Sequence, residues 1–182
     1  MLLDTPICDF GWKAPNFTLQ DPAGNSFTMS EQLGENGLLI MFICNHCPYV
    51  QRIADRLAED TKQLMDEGIN VLAVMSNDYR LVAQDSPENM QRFALQHGFA
   101  FPYLVDEDQS VGKQYKAICT PDFFGFNNQG ELQYRGRLDD ARMGDSALRV
   151  PELLHAMRQI ATTGQGPKEQ SPSMGCSIKW RD

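Results

Sequence analysis

Seven consecutive apolar residues, Leu38 to Cys44 (LLIMFIC), run directly into Cys44-Asn45-His46-Cys47-Pro48, and this junction constrains the fold more than any other stretch of the chain. An unbroken apolar run of this length suits a strand buried on both faces, which requires a sheet covered by helices. Pro48 to Glu67 then places Val50, Ile53, Leu57 and Leu64 on one helical stripe, with charged residues outside it and Gly68 as the stop. Ile69 to Met75 (INVLAVM) is a second apolar strand. Strand, helix and strand at this spacing predict a βαβ unit with a parallel pair.

The remaining elements fit around that unit. Asn16 to Leu19 and Ser26 to Met29 flank Asp21-Pro22-Ala23-Gly24-Asn25, a turn-forming run, and predict a hairpin. Ser86-Pro87 opens a helix with a capping residue and a proline at its first position, and Gly98 closes it. Pro102 to Val105 reads as a short strand and Gln109 to Lys116 as a short helix. Asp122 to Phe126 and Glu131 to Arg135 form a second hairpin, and Pro151 to Thr163 the last helix, with Leu154, Met157, Ile160 and Ala161 inward. The first dozen residues and the stretch after Gly164 have linker character. The expectation is one α/β domain over 1–182, with a core about 14–163 and a tail over 164–182.

Composition bounds the function. Sixteen basic against twenty-four acidic side chains give a net charge of −8, which disfavours nucleic acid and anionic lipid as partners. The longest apolar run is far below the ~20 residues needed to cross a bilayer, so no membrane association is expected. No Lys or Arg precedes position 13, no apolar stretch of signal-peptide length opens the chain, and a cytoplasmic location is expected. Asp106-Glu107-Asp108 and Asp139-Asp140 have no calcium-loop spacing and read as capping and solvated groups. No glycine-rich phosphate loop is present, and no cofactor is called for.

Five cysteines, Cys8, Cys44, Cys47, Cys119 and Cys176, are too few for a disulfide scaffold and suit a reducing compartment where paired thiols do chemistry. Cys44 and Cys47 lie at i and i+3, on one face of a helical turn, so their sulfurs can close a disulfide. At a helix N-terminus, unpaired N–H groups lower a cysteine pKa from ~8.5 to roughly 3.5–7.5. His46 either lowers it further when protonated or is an exposed spacer. The other reading of a C-x-x-C is half a structural metal site, but no second half stands close in the sequence. Cys119 is either a resolving thiol or a small buried hydrophobe. Cys176 is either a partner that swings in on the tail or a packing residue, and Cys8 has no evident partner.

These residues resemble the peroxiredoxin-like proteins of the thioredoxin superfamily, in the alkyl hydroperoxide reductase and thiol-specific antioxidant group. The resemblance rests on APNFTLQDPAGN, FICNHCPYV, SNDYRLVAQDSPENM, FPYLVDEDQSVGKQY, CTPDFFGFNNQGELQYRGRLDD and PSMGCSIKW, which together span nearly the whole chain. It implies a thioredoxin fold, a central mixed sheet flanked by helices, with an N-terminal β-hairpin extension. It also implies a cis proline at Thr120-Pro121 facing the cysteines. Proline lacks an N–H, leaves the preceding backbone free to pair with a substrate chain, and fills space a metal would need. Set on the peroxiredoxin pattern Pro-x-x-x-Thr/Ser-x-x-Cys, Cys47 takes the cysteine, Ile40 the proline and Cys44 the threonine position. Set on thioredoxins, Leu38 replaces a buried acid, and Pro48 follows the pair instead of lying within it.

The leading expectation is a dithiol–disulfide oxidoreductase in which Cys44 attacks a protein or small-molecule disulfide, Cys47 resolves the mixed disulfide and Pro121 presents the substrate backbone. An external thiol reductant, of the thioredoxin or glutathione kind, completes the cycle. The alternatives are a thiol peroxidase with Cys47 attacking a hydroperoxide, and a non-catalytic metal or partner-binding module using Cys44, His46 and Cys47.

Overall fold

The strand Leu38–Phe42 is buried at every position. In the computed structural model, which describes residues 1–182, it is β4 of ten strands. Before it come β1 (Leu2–Asp4), β2 (Thr18–Gln20), β3 (Ser26–Thr28) and the single helical turn α1 (Met29–Gln32). After it come α2 (Pro48–Asp66), β5 (Asn70–Met75), α3 (Pro87–His97), β6 (Tyr103–Val105), α4 (Ser110–Gln114), β7 (Cys119–Thr120), β8 (Asp122–Phe126), β9 (Leu132–Tyr134), α5 (Glu152–Thr163) and β10 (Met174–Ser177).

Seven strands make one mixed sheet, ordered β3-β2-β6-β5-β4-β8-β9. β4, β5 and β6 are parallel neighbours, as the βαβ reading requires. The β8–β9 hairpin closes one side, and the N-terminal hairpin β2–β3 closes the other by pairing Gln20 with Val105 of β6. Alternate side chains of β4 feed two cores, since successive residues of a strand point to opposite faces. Leu39 and Met41 pack with Leu57 of α2, Phe93 of α3 and Met157 of α5. Leu38, Ile40 and Phe42 pack with Val111 of α4 and with Tyr115 on the other face. Each such side chain contributes about 1.5–3 kcal/mol when fully buried.

Two expectations need correction. The chain ends are not linkers: Leu2–Asp4 and Met174–Ser177 join Cys119–Thr120 in a second sheet, ordered β1-β10-β7. Strands of three or four residues are too short to show alternation, which hides them in the sequence. Gly175 permits the close approach, because a Cβ there would stand 1.9 Å from the Thr120 carbonyl oxygen. Asp139 is not solvated either. It is buried and bonds Arg56 at 2.8 Å and Arg149 at 3.3 Å, while Arg149 also grips buried Asp60 of α2 through two 2.7 Å bonds. These arginines lie up to 89 residues from their partners, beyond any local pattern. The acidic run before α4 does cap: Asp106 accepts the Val111 and Gly112 N–H groups, and Asp108 accepts that of Ser110.

Candidate active site

Cys47 is the N-cap of α2 and Pro48 its first residue, a position where a missing N–H costs no helical bond. Cys44 lies two residues beyond β4. The βαβ crossover thus delivers both sulfurs to the carboxyl edge of the central sheet, where open α/β sheets place their sites. Both cysteines are 0% exposed. Opposite them stands Thr120, joined to Pro121 by a cis peptide. Its hydroxyl oxygen is 3.4 Å from Cys44 Sγ, and its carbonyl oxygen lies 3.3 Å from Cys47 Sγ.

The two thiols are electrostatically unlike. Burial raises Cys44 well above the ordinary thiol value, helped by its hydrogen bond to Cys47 and by the negative charge of Asp85. Cys47 is held far below that value, first by the hydrogen bond from Cys44 and then, against the cost of burial, by Thr120 and the backbone N–H groups of Cys176 and Val50. Of the two, Cys47 is the sulfur whose ionised form the surroundings favour, and Cys44 the one they keep protonated. On charge alone this favours Cys47 as the first nucleophile, where the sequence pattern pointed to Cys44. The reason is position: Cys47 is the residue at the helix N-terminus, while Cys44 lies deeper and nearer Asp85.

Asp85 is the residue that sequence reasoning missed. Fully buried, it accepts the backbone N–H groups of Asn45 at 2.8 Å and His46 at 3.1 Å through one oxygen. Its other oxygen bonds His46 Nδ1 at 2.5 Å and Asn77 Nδ2 at 2.9 Å. Burial alone would raise its pKa, but the bonds from His46 and Asn77 outweigh it and leave the carboxyl below its usual value. His46 is raised in turn, chiefly by its bond to Asp85. His46 is thus an ion-paired group, its Nδ1 3.6 Å from Cys44 Sγ, and not an exposed spacer. Asn45 is pinned as well, by Tyr103, Gln84 and Gln51. Only the capping string Ser86-Pro87 beside Asp85 stood out in sequence.

Cys119 faces away from the pair. Strand alternation turns it from the side of β7 on which Thr120 meets the cysteines, its thiol bonds the Pro121 carbonyl, and burial raises its pKa. Cys8 packs against the opposite core and is pushed up to about 11, mainly by burial. Cys176 is beside the pair already, its thiol and its backbone N–H both against Cys47.

A metal has little to bind here. Cys44, His46 and Asp85 bring one ligand atom each within 4.8 Å of one another. The Asp85 oxygens, however, already accept four hydrogen bonds, from the Asn45 and His46 backbone N–H groups, His46 Nδ1 and Asn77 Nδ2. Recruiting Asp85 to an ion would strand buried donors.

The AhpC/TSA family model matches residues 10–135, the stretch from the N-terminal segment through β9. The chain belongs to the AhpC/TSA family. It is similar to an uncharacterized conserved protein of Geobacillus kaustophilus, at 38% identity and a TM-score of 0.92 over 100% of this chain and 97% of that one. It is also similar to the thiol-disulfide oxidoreductase ResA of Halalkalibacterium halodurans, 26% identical over 129 residues, 71% of this chain and 69% of the relative. The thioredoxin domain of a thiol-disulfide oxidoreductase from Bacteroides vulgatus shares the fold, with a TM-score of 0.58 at 16% identity over 69% of this chain and 86% of that one. The α/β core with its hairpin extension is therefore a thioredoxin fold.

Proposed function

We propose that this AhpC/TSA family member is a dithiol–disulfide oxidoreductase whose working pair is Cys44 and Cys47. The observation that carries the reading is that both sulfurs, at i and i+3 across the start of α2, touch the one residue that precedes cis Pro121. The Cys47 thiolate attacks one sulfur of a disulfide, and the other sulfur leaves as a thiolate that takes up a proton. Cys44 then attacks Cys47 Sγ, its developing thiolate stabilised by the ion-paired His46 whose Nδ1 is 3.6 Å away, and its proton goes to the departing substrate sulfur. The second substrate thiolate leaves and is protonated, and a Cys44–Cys47 disulfide remains. Two external thiols reduce it again. A shallow hollow beside Pro121, with Tyr49, Ile53, Phe123 and Leu138 in its wall and Arg137 and Arg142 also lining it, offers the substrate a seat. The sparse, odd cysteine set accords with a reducing, cytoplasmic setting.

Oxidation of reduced protein by a small disulfide, followed by alkylation and peptide mapping, tests this. A Cys44–Cys47 link is expected, together with loss of disulfide reduction in Cys47→Ser. A Cys47→Ser variant reducing disulfides at the parent rate would overturn the reading.

A hydroperoxide as oxidant is the second reading, and the full burial of both sulfurs favours it, since a peroxide is smaller than a disulfide. Cys47 would become a sulfenic acid and release water or an alcohol, and Cys44 would condense with it and release water.

A further inference from the structure

Cys44 and Cys47 are both 0% exposed, so an external thiol meets their disulfide less readily than it would meet a disulfide with a partly exposed sulfur. Cys176 is the partly exposed thiol that lies against Cys47. We propose that Cys176 is a third redox-active thiol, which takes over the disulfide from Cys44 and presents it, as Cys47–Cys176, to the external reductant. This inference rests on the dithiol reading above.

Strand register places the side chain. In the antiparallel pair β10–β7, Cys176 stands directly opposite Thr120, and directly opposed residues of such a pair point to the same face. The Thr120 hydroxyl uses that face to touch Cys44, so Cys176 shares it, and the Cys176 thiol and backbone N–H both lie against Cys47. Ser177 stands opposite Cys119 and shares the other face. Cys176 is partly exposed, whereas both members of the pair are buried.

Nothing has to swing. Upstream of β10, the Ser173 hydroxyl donates to the Pro121 carbonyl at 2.7 Å and the Ser173 backbone N–H donates to the Thr5 hydroxyl oxygen at 3.1 Å. Downstream, the Lys179 N–H donates to Asn77 Oδ1 at 2.8 Å, and Asn77 is the same residue that donates to Asp85. β10 is thus fixed at both ends to residues that frame the site, a preorganisation that favours exchange within the chain.

The exchange balances. In the oxidised protein the Cys176 thiolate attacks Cys47 Sγ, the Cys44–Cys47 bond breaks, and Cys44 leaves as a thiolate and is protonated. An external thiolate then attacks the partly exposed Cys176 sulfur, and Cys47 departs. Cys47 is the better leaving group of the two, because its thiolate is the stabilised one. A second external thiol frees Cys176 and forms the external disulfide. Overall, two thiols are oxidised and one protein disulfide is reduced. Cys176 is pushed up to about 11 in the dithiol state, first by burial and then by Cys47. The Cys47 contribution vanishes once that sulfur is in a disulfide.

The test is oxidation of Cys44→Ser with a small disulfide, followed by alkylation and mapping under non-reducing conditions. The inference expects an intrachain Cys47–Cys176 link, absent when Cys176 is also replaced by Ser and unaffected by Cys119→Ser. In the otherwise unaltered chain, Cys176→Ser should slow reduction of the Cys44–Cys47 disulfide by a reduced thioredoxin about tenfold or more. A Cys44→Ser protein that forms only Cys47 adducts or interchain Cys47 dimers overturns the relay, even where the parent chain forms its Cys44–Cys47 link. Failure of the parent chain to form that link overturns the underlying dithiol reading.

Discussion

Asp85 holds His46 at two points, accepting its backbone N–H at 3.1 Å through one oxygen and bonding its ring Nδ1 at 2.5 Å through the other. The carboxylate thereby fixes the loop between the two cysteines and places a paired imidazole beside Cys44.

Asp85→Asn should be costly. It removes the charge from a buried ion pair and weakens acceptors for Asn45, His46 and Asn77. Breaking such a pair is expected to cost about 3 kcal/mol, read as a fall in the urea midpoint with unchanged slope. A change within error of zero would mean that the carboxylate does not order the loop.

The same pair sets a pH dependence. Asp85 titrates below its unfolded value, so its contribution to stability is full above about pH 4 and is lost as pH falls through the folded value. His46 titrates above its unfolded value, so its contribution is full below about pH 6.5 and is lost as pH rises through the raised value. Stability from this pair should therefore peak between the two, and urea midpoints across pH should show both slopes flattened in Asp85→Asn.

Cys47 should react as a thiolate well below the pH at which ordinary thiols do. Its alkylation by iodoacetamide is expected to vary little between about pH 6 and 8, whereas Cys44 and Cys119 stay slow. A midpoint near the ordinary ~8.5 for Cys47 would contradict the assignment of the charge.

Gly175→Ala should part β10 from β7. The added methyl would meet the Thr120 carbonyl oxygen at 1.9 Å, and relief requires the strand to move. A loss of roughly 1–3 kcal/mol is expected in chemical denaturation, with a weaker Cys47–Cys176 link in the Cys44→Ser background. Retention of both properties would show that the strand contact is dispensable.

Arg149→Ala should leave Asp60 and Asp139 buried without a shared cation. About 3–5 kcal/mol is expected to be lost, measured by thermal or urea unfolding. Because Arg56 still pairs with Asp139, Asp60 is the group left stranded.

The legible part of this protein is the part governed by short-range pattern. LLIMFIC declared a strand covered on both faces, Val50, Ile53, Leu57 and Leu64 declared the buried stripe of α2, and Ser86-Pro87 with Gly98 bounded α3. The i, i+3 spacing put Cys44 and Cys47 together. What the pattern could not show depends on contacts between distant residues. Asp85 reaches Asn45 across 40 positions, Arg149 reaches Asp60 across 89, and β10 finds β7 only through the folded chain. The division of charge between Cys44 and Cys47 was hidden for the same reason, since Asp85, Thr120 and Cys176 all come from elsewhere in the chain.

The most direct measurement is equilibration of the reduced protein in glutathione buffers of stepped potential, with rapid alkylation and peptide mapping at each step. One reversible two-electron transition linking Cys44 to Cys47 is expected, lost in Cys47→Ser. Cysteines that remain free at every potential, with a stoichiometric metal ion retained by protein purified without chelator, would contradict the account.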